Sequence, residues 1–268
     1  GLRISADMYT YSAAATGLDA TMPPWVQEGG HNKWVEQLQI PSVREKVSKE
    51  MLDENSSWEN FYTQAGPKGI LLTGFRNSEL RKYTGMTLQE VSEIRGTSPQ
   101  LTAMDLVVED NSRIDAVFFL MSEENVTKQI KKPWISFGSD AGAVANEGAF
   151  IEKSLHPRAY GNFARVIGKY VRDEKALSMK EAIRRLTSLP AKNTGIQNRG
   201  SIEIDNYADI IVFDPIEIND KATFEKPHQY AVGMKHVFVN GIQVLNDGNH
   251  TGAMPGKIVR GPGWRGWN

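Results

Sequence analysis

One aspartate in this sequence occupies a position at which α/β proteins place reactive groups. Asp140 follows an apolar run at residues 134–137 and the dipeptide Gly138-Ser139, so a strand should end just before it. Carboxylates at the ends of barrel strands carry much of the chemistry of α/β barrels. An aspartate that caps a helix or closes a turn gives the same local pattern. The spacing alone therefore leaves a catalytic and a structural interpretation open.

Arg158 is the second candidate, at the end of a segment rich in glycine and alanine that follows Asp140. A helix is predicted to begin at this arginine, which would fix its backbone. A guanidinium group matches a carboxylate through two parallel hydrogen bonds, so Arg158 is a candidate for binding a ligand carboxylate. The alternative is a surface arginine at a helix N-terminus, where the macrodipole does not favour a cation.

The composition excludes several classes of protein. The 268 residues carry 31 basic and 32 acidic side chains, which gives no electrostatic basis for binding nucleic acid or an anionic membrane. There is no cysteine, so the chain has neither disulfides nor a thiolate metal site. No apolar run reaches the length of about eighteen residues that spans a bilayer. We expect no nucleic-acid or membrane partner; the location stays unknown, with the cytoplasm favoured.

The elements that must position these residues are predicted as β/α units over residues 1–199. Barrel-like strands are expected at residues 2–8, 114–120 and 134–138. The run at 116–121 is continuously apolar, which is typical of a strand buried on both faces. A mainly helical insertion is expected at about 25–112. Because a complete (β/α)₈ barrel takes about 250 residues and eight strands, we predict only the C-terminal part of such a barrel.

Helix starts inside this region carry capping patterns. Thr87 with Glu90, and Ser178 with Glu181, have the spacing of a capping box. Ser98-Pro99 fits the N-cap and first position of another helix. These signals predict helices that begin just after each capping residue.

From residue 200 the pattern changes to short strands and turns. Ile202 and Ile204 alternate with polar residues, and 210–213 is an apolar run that predicts a buried strand. Asn240-Gly241 lies between two apolar runs, which is the strongest short signal for a type I′ hairpin. We expect residues 200–268 to form a small β module, part of a flanking β-sandwich, and a C-terminal tail.

The first residue is glycine rather than methionine, and residues 2–6 already have the pattern of a strand. A chain that opens inside a strand is expected to be the later part of a longer protein. The missing N-terminal half would then be one of its partners.

Five sequence motifs occur together in a recognisable order. They are ADMYTY at residues 6–11, GSD at 138–140, HPRAYG at 156–161, ADIIVFDP at 208–215, and VNG followed by DGNHTG at 239–252. The chain thereby resembles the N-acyl-D-amino-acid deacylases of the amidohydrolase superfamily of metal-dependent hydrolases. The last two motifs are specific in combination, whereas each alone indicates only an amidohydrolase tail. The GSD and HPR pair narrows the resemblance to the D-aminoacylase branch.

The resemblance implies a zinc-dependent barrel enzyme that hydrolyses N-acyl-D-amino acids to a carboxylate and a free D-amino acid. Asp140 matches the family's aspartate, which touches the metal and takes the proton from the nucleophilic water. Arg158 matches the arginine that grips the substrate carboxylate, and Tyr9 matches a tyrosine whose hydroxyl assists there. Phe118 and Met121 match the strand that helps to line the acyl or side-chain pocket.

The sequence departs from the family pattern at several points. Thr10 stands where the family often has proline, and Ala15 stands where many members have a serine that hydrogen-bonds the substrate. The sequence has no HxH motif, so the zinc ligands other than Asp140 cannot be placed in it. The resemblance therefore implies zinc in the intact protein and weak or no zinc binding by this chain.

Alternative interpretations stay open for several residues. Tyr9 has the pattern of a half-buried aromatic under a loop, and Phe118 and Met121 have that of core packing. His156 and His250 are interpreted as structural histidines.

Other functions also stay open. One is that of a dihydroorotase-like cyclic amidase or a dipeptidase; the other is that of a catalytically silent fragment that serves as a binding or oligomerisation module. Arg158 disfavours the cyclic amide, because such a substrate does not need an arginine for a free carboxylate.

Overall fold

A computed structural model of the chain describes residues 1–2 and 4–266. The chain divides into two compact units. The first comprises Gly1–Tyr11, Glu123–Val144 and the chain from Pro157 onward; the second comprises Ser12–Ser122 and Ala145–His156. Among the described residues, no helix combines the length and apolarity needed to cross a bilayer.

The described chain contains both strands and helices, and its last four elements are strands. The strands are β1 Ala6–Met8, β2 Ala14–Gly17, β3 Ile70–Gly74, β4 Asp115–Phe118, β5 Ile135–Phe137, β6 Ile210–Phe213, β7 Met234–Val239, β8 Ile242–Asn246 and β9 Asn249–His250. The α-helices are α1 His31–Gln37, α2 Pro41–Met51, α3 Phe61–Ala65, α4 Leu88–Arg95, α5 Pro99–Asp110, α6 Glu123–Ile130, α7 Arg158–Arg165, α8 Met179–Leu186 and α9 Ser188–Thr194. A π-helical segment, Val166–Asp173, continues α7.

The first unit contains a parallel strand pair backed by helices. β1 and β5 pair in parallel, with Ala6 opposite Ile135 and Met8 opposite Phe137. Met8 and Phe137 are buried in one hydrophobic cluster with Tyr170 of the π-helical segment. Both strands were expected from the sequence. In the strand predicted for residues 2–8, Arg3 lies outside the described residues, and β1 covers Ala6–Met8. Parallel strands covered by helices are the arrangement of β/α units.

The second unit contains a different kind of sheet. β4 is the middle strand, and both β2 and β3 pair with it antiparallel. The prediction that residues 114–120 form a barrel strand is therefore wrong. Its apolar run does indicate burial, since Ala116, Val117 and Phe118 are all buried. Burial on both faces does not distinguish a parallel from an antiparallel strand, and this is why the pattern misled.

The helices of the second unit begin at the predicted caps. Thr87 and Glu90 form the complete capping box of α4, and Ser98 caps α5, whose first residue is Pro99. These helices lie inside the segment predicted at about 25–112, whereas the unit that contains them runs from Ser12 to Ser122.

The second predicted capping box forms only in part. Ser178 accepts a hydrogen bond from the backbone N–H of Glu181 at the start of α8. The Glu181 carboxylate pairs instead with Arg184, at 2.6 Å between Oε1 and Nη2. The charge–charge contact with a residue on the next turn replaces the weaker return bond to the backbone of the cap.

The C-terminal sheet has the strand order β6-β7-β8-β9. Asn240 and Gly241 have φ angles of 50° and 80° and connect Val239 to its partner Ile242, so the type I′ hairpin is confirmed. The alternation at Ile202 and Ile204 forms no strand. Both side chains are exposed, at 87% and 93%, and alternation stabilises a strand only when one face is buried.

The run at 210–213 does form the strand β6, but it is not the buried strand that the sequence predicted. The side chains of Ile211 and Val212 are each 44% exposed. The chain from Pro157 onward belongs to one compact unit. The domain boundary proposed at residue 199 stays a prediction.

Candidate functional site

Three of the predicted site residues meet at one edge of the parallel pair in the first unit. Tyr9 directly follows β1, Asp140 follows β5 after two residues, and Arg158 is the first residue of α7. Because β1 and β5 run in parallel, their carboxyl ends bring Tyr9 and Asp140 to the same edge. This is the edge at which β/α folds place their binding and catalytic groups.

Arg158 connects the other two residues. Its Nη2 lies 2.9 Å from Oδ2 of Asp140, and its guanidinium carbon lies 4.5 Å from the centre of the Tyr9 ring. The Arg158 side chain is 7% exposed and that of Asp140 is 71% exposed. A buried guanidinium stacked on an aromatic ring is held in one orientation, whereas the carboxylate beside it stays open to solvent and to ligands.

The protonation of Tyr9 suits a hydrogen-bond donor. Burial raises the pKa of the Tyr9 hydroxyl above its ordinary value, while the charge of Arg158 acts in the opposite direction. The raised pKa keeps this hydroxyl protonated at neutral pH. Tyr9 can therefore donate a hydrogen bond to an anion beside Arg158.

The backbone of Asp140 adopts an uncommon conformation. Its φ angle is 49°, in the left-handed region that few residues other than glycine enter and that aspartate tolerates better than most. A left-handed residue at this point turns the chain sharply after β5 and so directs the carboxylate to the strand edge. Non-glycine residues in sparsely populated regions concentrate at functional sites.

Phe118 and Met121 belong to the second unit. Phe118 is fully buried and packs edge-on against Phe61, with the ring centres 5.2 Å apart. The side chain of Met121 is 37% exposed. Of the two residues predicted to line a pocket, Met121 is the one with accessible surface.

Sequence reasoning missed a polar network around the residue that follows Tyr9. The side chain of Asn162, on α7, bonds both to Thr10 and to the carbonyl oxygen of Gly138. Arg165 donates from Nε to the carbonyl oxygen of Thr10 at 2.9 Å. The available signal was helical spacing: Asn162 is a polar residue one turn after Arg158.

Arg165 also belongs to a mostly buried ion pair. Its Nη1 lies 3.1 Å from Oδ2 of Asp220, and its guanidinium carbon lies 4.8 Å from the centre of the Tyr11 ring. The Tyr11 hydroxyl donates to the same carboxylate oxygen of Asp220 at 3.1 Å. Burial and the charge of Asp220 raise the pKa of Tyr11, so its hydroxyl remains a donor.

Asp140 is a candidate zinc ligand at this site, but the described residues do not form a complete zinc site. Catalytic zinc takes three protein ligands, and no group of three His, Cys, Asp or Glu side chains within the described range could hold a metal. His156 is buried, and its Nε2 donates to the carbonyl oxygen of Ala13 at 2.9 Å. His250 accepts a hydrogen bond at Nδ1 from the N–H of Gly252. Both histidines have the structural contacts expected from the sequence.

Known proteins similar to this chain share one chemistry. The amidohydrolase family profile matches residues 83–245. The chain is 32% identical over 178 residues to D-aminoacylase of Alcaligenes xylosoxydans xylosoxydans, an alignment that covers 66% of this chain and 34% of that protein. It is 37% identical over 145 residues to the N-acyl-D-aspartate deacylase of the same organism, covering 54% of this chain and 28% of that protein.

A solved structure extends the similarity to the fold. It is the crystal structure of N-acyl-D-glutamate deacylase from Bordetella bronchiseptica, complexed with zinc and a phosphonate inhibitor that mimics the tetrahedral intermediate of its reaction. The TM-score is 0.65 at 25% identity, over 91% of this chain and 40% of that chain.

The chain spans about a third of the length of the curated relatives. The resemblance to D-aminoacylases that the motifs suggested is confirmed by these matches. Because the family profile covers more than half of the chain, this protein belongs to the amidohydrolase family.

Proposed function

We propose that this chain is part of a zinc-dependent deacylase that hydrolyses N-acyl-D-amino acids to a carboxylate and a free D-amino acid. The observation that supports this function most strongly is the Tyr9, Arg158 and Asp140 cluster at the carboxyl ends of two parallel strands. It combines a solvent-open carboxylate with a cation and a hydroxyl donor. Hydrolysis of an amide that carries a free carboxylate can use each of these groups.

Arg158 and Tyr9 would bind the substrate through its carboxylate. An acylated amino acid has lost the charge of its amine, so the carboxylate is its permanent charge. The guanidinium of Arg158 and the protonated hydroxyl of Tyr9 are matched to that group. A guanidinium between two carboxylates would also reduce the repulsion between Asp140 and the substrate.

Asp140 would act as the general base and then as the general acid. It would take a proton from the attacking water and deliver it to the nitrogen of the leaving amine, so that the C–N bond breaks as the amine becomes neutral. Zinc, when bound, would supply the Lewis acidity that activates water and polarises the acyl carbonyl. Asp140 is the one candidate ligand to it among the described residues, and the other ligands would come from the part of the longer protein outside this chain.

The preference for the D-enantiomer would follow from where the substrate's carboxylate, acyl carbonyl and α-carbon substituent are held. With the carboxylate bound to Arg158 and the acyl carbonyl held at the hydrolytic centre, the α-carbon substituent can point in one direction. Phe118 and Met121 are proposed, on the resemblance alone, to line the pocket for the acyl group or this substituent.

The test is a pair of measurements on the full-length protein that contains this chain. Elemental analysis after dialysis should find bound zinc, and N-acyl-D-amino acids should be hydrolysed in preference to their L-enantiomers. A folded protein with neither zinc nor amidase activity would replace the proposal with that of a binding or oligomerisation module. Preferential hydrolysis of a cyclic amide would reassign the substrate within the family.

A further inference from the structure

The side-chain carboxamide of Asn162 forms hydrogen bonds through both its oxygen and its nitrogen, all within the first unit. Its Oδ1 accepts hydrogen bonds from the backbone N–H of Thr10 at 2.8 Å and from the Thr10 hydroxyl at 3.0 Å. Its Nδ2 donates to the carbonyl oxygen of Gly138 at 3.0 Å. Asn162 is 1% exposed and Thr10 is fully buried, so these bonds form away from bulk water, where unpaired polar groups are costly.

These contacts join the three elements that carry the candidate site. Thr10 directly follows Tyr9 at the end of β1, and Gly138 precedes Asp140 by two residues at the end of β5. Asn162 lies on α7, one turn after Arg158. A single side chain therefore fixes the distance between the two strand ends and the helix.

Other bonds hold the same two strand ends in place. The N–H of Gly138 donates to the carbonyl oxygen of Met8, which continues the pairing of β1 with β5. The carbonyl oxygen of Thr10 accepts from Nε of Arg165. The peptide groups on both sides of Thr10 are thus bound from α7, and Tyr9 has little freedom to move between Met8 and Thr10.

We propose that Asn162 is a positioning residue that sets the geometry of Tyr9, Asp140 and Arg158 for catalysis. This inference deepens the proposed deacylase function and rests on it. Asn162 touches neither the reacting atoms nor the substrate; it acts through the two strand ends. An aliphatic side chain could fill the same space, but it would leave the N–H of Thr10 and the carbonyl of Gly138 without this partner.

Asn60 offers a matched control for a purely structural asparagine. It is also buried, at 2% exposure. Its Oδ1 accepts from the N–H of Tyr62 at 3.1 Å, and its Nδ2 donates to the carbonyl oxygen of Met51 at 3.1 Å. It belongs to the second unit and caps α3. Asn60 and Asn162 thus have the same burial and the same kinds of bonds.

The first experiment compares Asn162→Ala and Asn60→Ala in the full-length enzyme. The measured quantity is the ratio of kcat/KM for an N-acyl-D-amino acid to kcat/KM for its amide, which has no carboxylate charge. Displacement of catalytic groups by about 1 Å can cost about 10²-fold, so we expect Asn162→Ala to lower kcat/KM on the acid by about tenfold or more and to lower the ratio. Asn60→Ala should leave the ratio unchanged.

The ratio is independent of the fraction of enzyme that is folded, so a loss of stability alone cannot change it. Wild-type kinetics in Asn162→Ala, or a loss on both substrates that matches the loss of folded protein, would overturn the proposal. If that variant does not fold, Asn162→Asp replaces it. A carboxylate keeps the acceptor for Thr10 but, when ionised, has no hydrogen to donate to Gly138. We therefore expect kcat to fall at high pH, where this carboxyl group is ionised, because Asp140 is displaced. An unchanged kcat at that pH would overturn the proposal.

The second experiment needs no activity. Asn162→Ala should accelerate amide hydrogen exchange at residues 138–140 of the full-length protein. It should also accelerate exchange of the Thr10 N–H. If only Asn162→Asp folds, that variant should accelerate exchange at residues 138–140. Asn60→Ala should leave both segments unchanged. Unchanged exchange at residues 138–140 would overturn the inference whatever the kinetics. If exchange changes in a full-length protein that has no deacylase activity, Asn162 does couple the two strand ends, and the proposed deacylase function is refuted instead.

Discussion

The start of α4 and the region around Thr10 are both organised by hydrogen bonds from side chains to the backbone, but over very different distances in sequence. At α4 the Thr87 N–H donates to the Glu90 carboxylate at 2.7 Å, across three positions. At Thr10 the backbone N–H donates to Asn162, across 152 positions. Both bonds run from a backbone N–H to a side-chain oxygen. The first stabilises one helix end, and the second holds together segments from distant parts of the chain.

This difference explains which parts of the structure the sequence could predict. Thr87, Ser98 and the Asn240-Gly241 turn are complete signals within a few residues, and the structure contains each of them. The partners of Thr10 carry no such local signal. A buried polar residue on a helix can be recognised from its spacing, but which strand end it will meet depends on the tertiary fold.

The ion pair between Arg165 and Asp220 provides the strongest test of this comparison. Its side chains are only 20% and 11% exposed, so Asp220→Ala leaves a mostly buried guanidinium and the Tyr11 hydroxyl without this acceptor. We expect a loss of about 3–5 kcal/mol in the free energy of unfolding, the range for breaking one partner of a buried pair. Urea denaturation measures it.

The control is Glu217→Ala, which removes an exposed ion pair with Lys235 in the same unit. Such surface pairs contribute about 0–1 kcal/mol. Equal losses in Asp220→Ala and Glu217→Ala would mean that the long-range network does not stabilise the first unit.

Asp140→Asn tests catalysis without testing the fold. The side chain is 71% exposed, so we expect the melting temperature and KM to change little. Loss of general acid–base catalysis typically costs about 10²-fold or more, and kcat of the full-length enzyme should fall by that factor. Asp115→Asn is the control, because Asp115 is also exposed and ion-paired, with Lys153. Near-wild-type kcat in Asp140→Asn would make Asp140 a turn residue.

Arg158→Ala tests recognition of the substrate carboxylate. Hydrogen bonds to charged groups contribute about 1.5–3 kcal/mol, so kcat/KM on an N-acyl-D-amino acid should fall by about tenfold to a hundredfold. The amide of the same substrate should be affected far less, because it carries no charge for Arg158 to bind. Arg44→Ala, which removes a comparable ion pair with Asp105 in the second unit, is the control. An equal fall on both substrates would show that Arg158 does not bind the carboxylate.

The sequence indicated which residues to propose for the candidate site, but it did not indicate how they are arranged. The family resemblance carried by the ADMYTY, GSD and HPR motifs pointed to Tyr9, Asp140 and Arg158, whose roles stay a proposal. The stacking of Arg158 on Tyr9 and the left-handed backbone at Asp140 came only from the structure, because each depends on which elements pack together. Similarly, the apolar run of β4 indicated burial correctly and the type of sheet wrongly, since hydrophobicity does not encode strand direction.

A change in the capping box of α4 has the smallest expected effect. It tests the short-range bond of the comparison, between Thr87 and Glu90. The Thr87 backbone N–H and hydroxyl both donate to the Glu90 carboxylate, at 2.7 and 2.8 Å. These bonds, the one from the backbone first, lower the pKa of Glu90 below its ordinary value of about 4.5. The folded-state pKa is therefore depressed. The charge of Glu90 stabilises the folded state above the unfolded pKa, and this stabilisation is lost as the pH falls through the folded pKa.

Glu90→Gln isolates that charge. Glutamine keeps an oxygen that can accept from Thr87, so the variant should differ from wild type chiefly by the ionic part of the bonds and by the favourable position of an anion in the first turn. At pH 7 we expect the melting temperature of Glu90→Gln to be lower by about 1 °C. The difference should shrink as the pH falls below about 4.5 and vanish once Glu90 is protonated in both states. Because the box closes across three positions, neither deacylase activity nor hydrogen exchange at Thr10 should respond. A difference in melting temperature that persists at low pH would mean that the two side chains differ in packing rather than in charge.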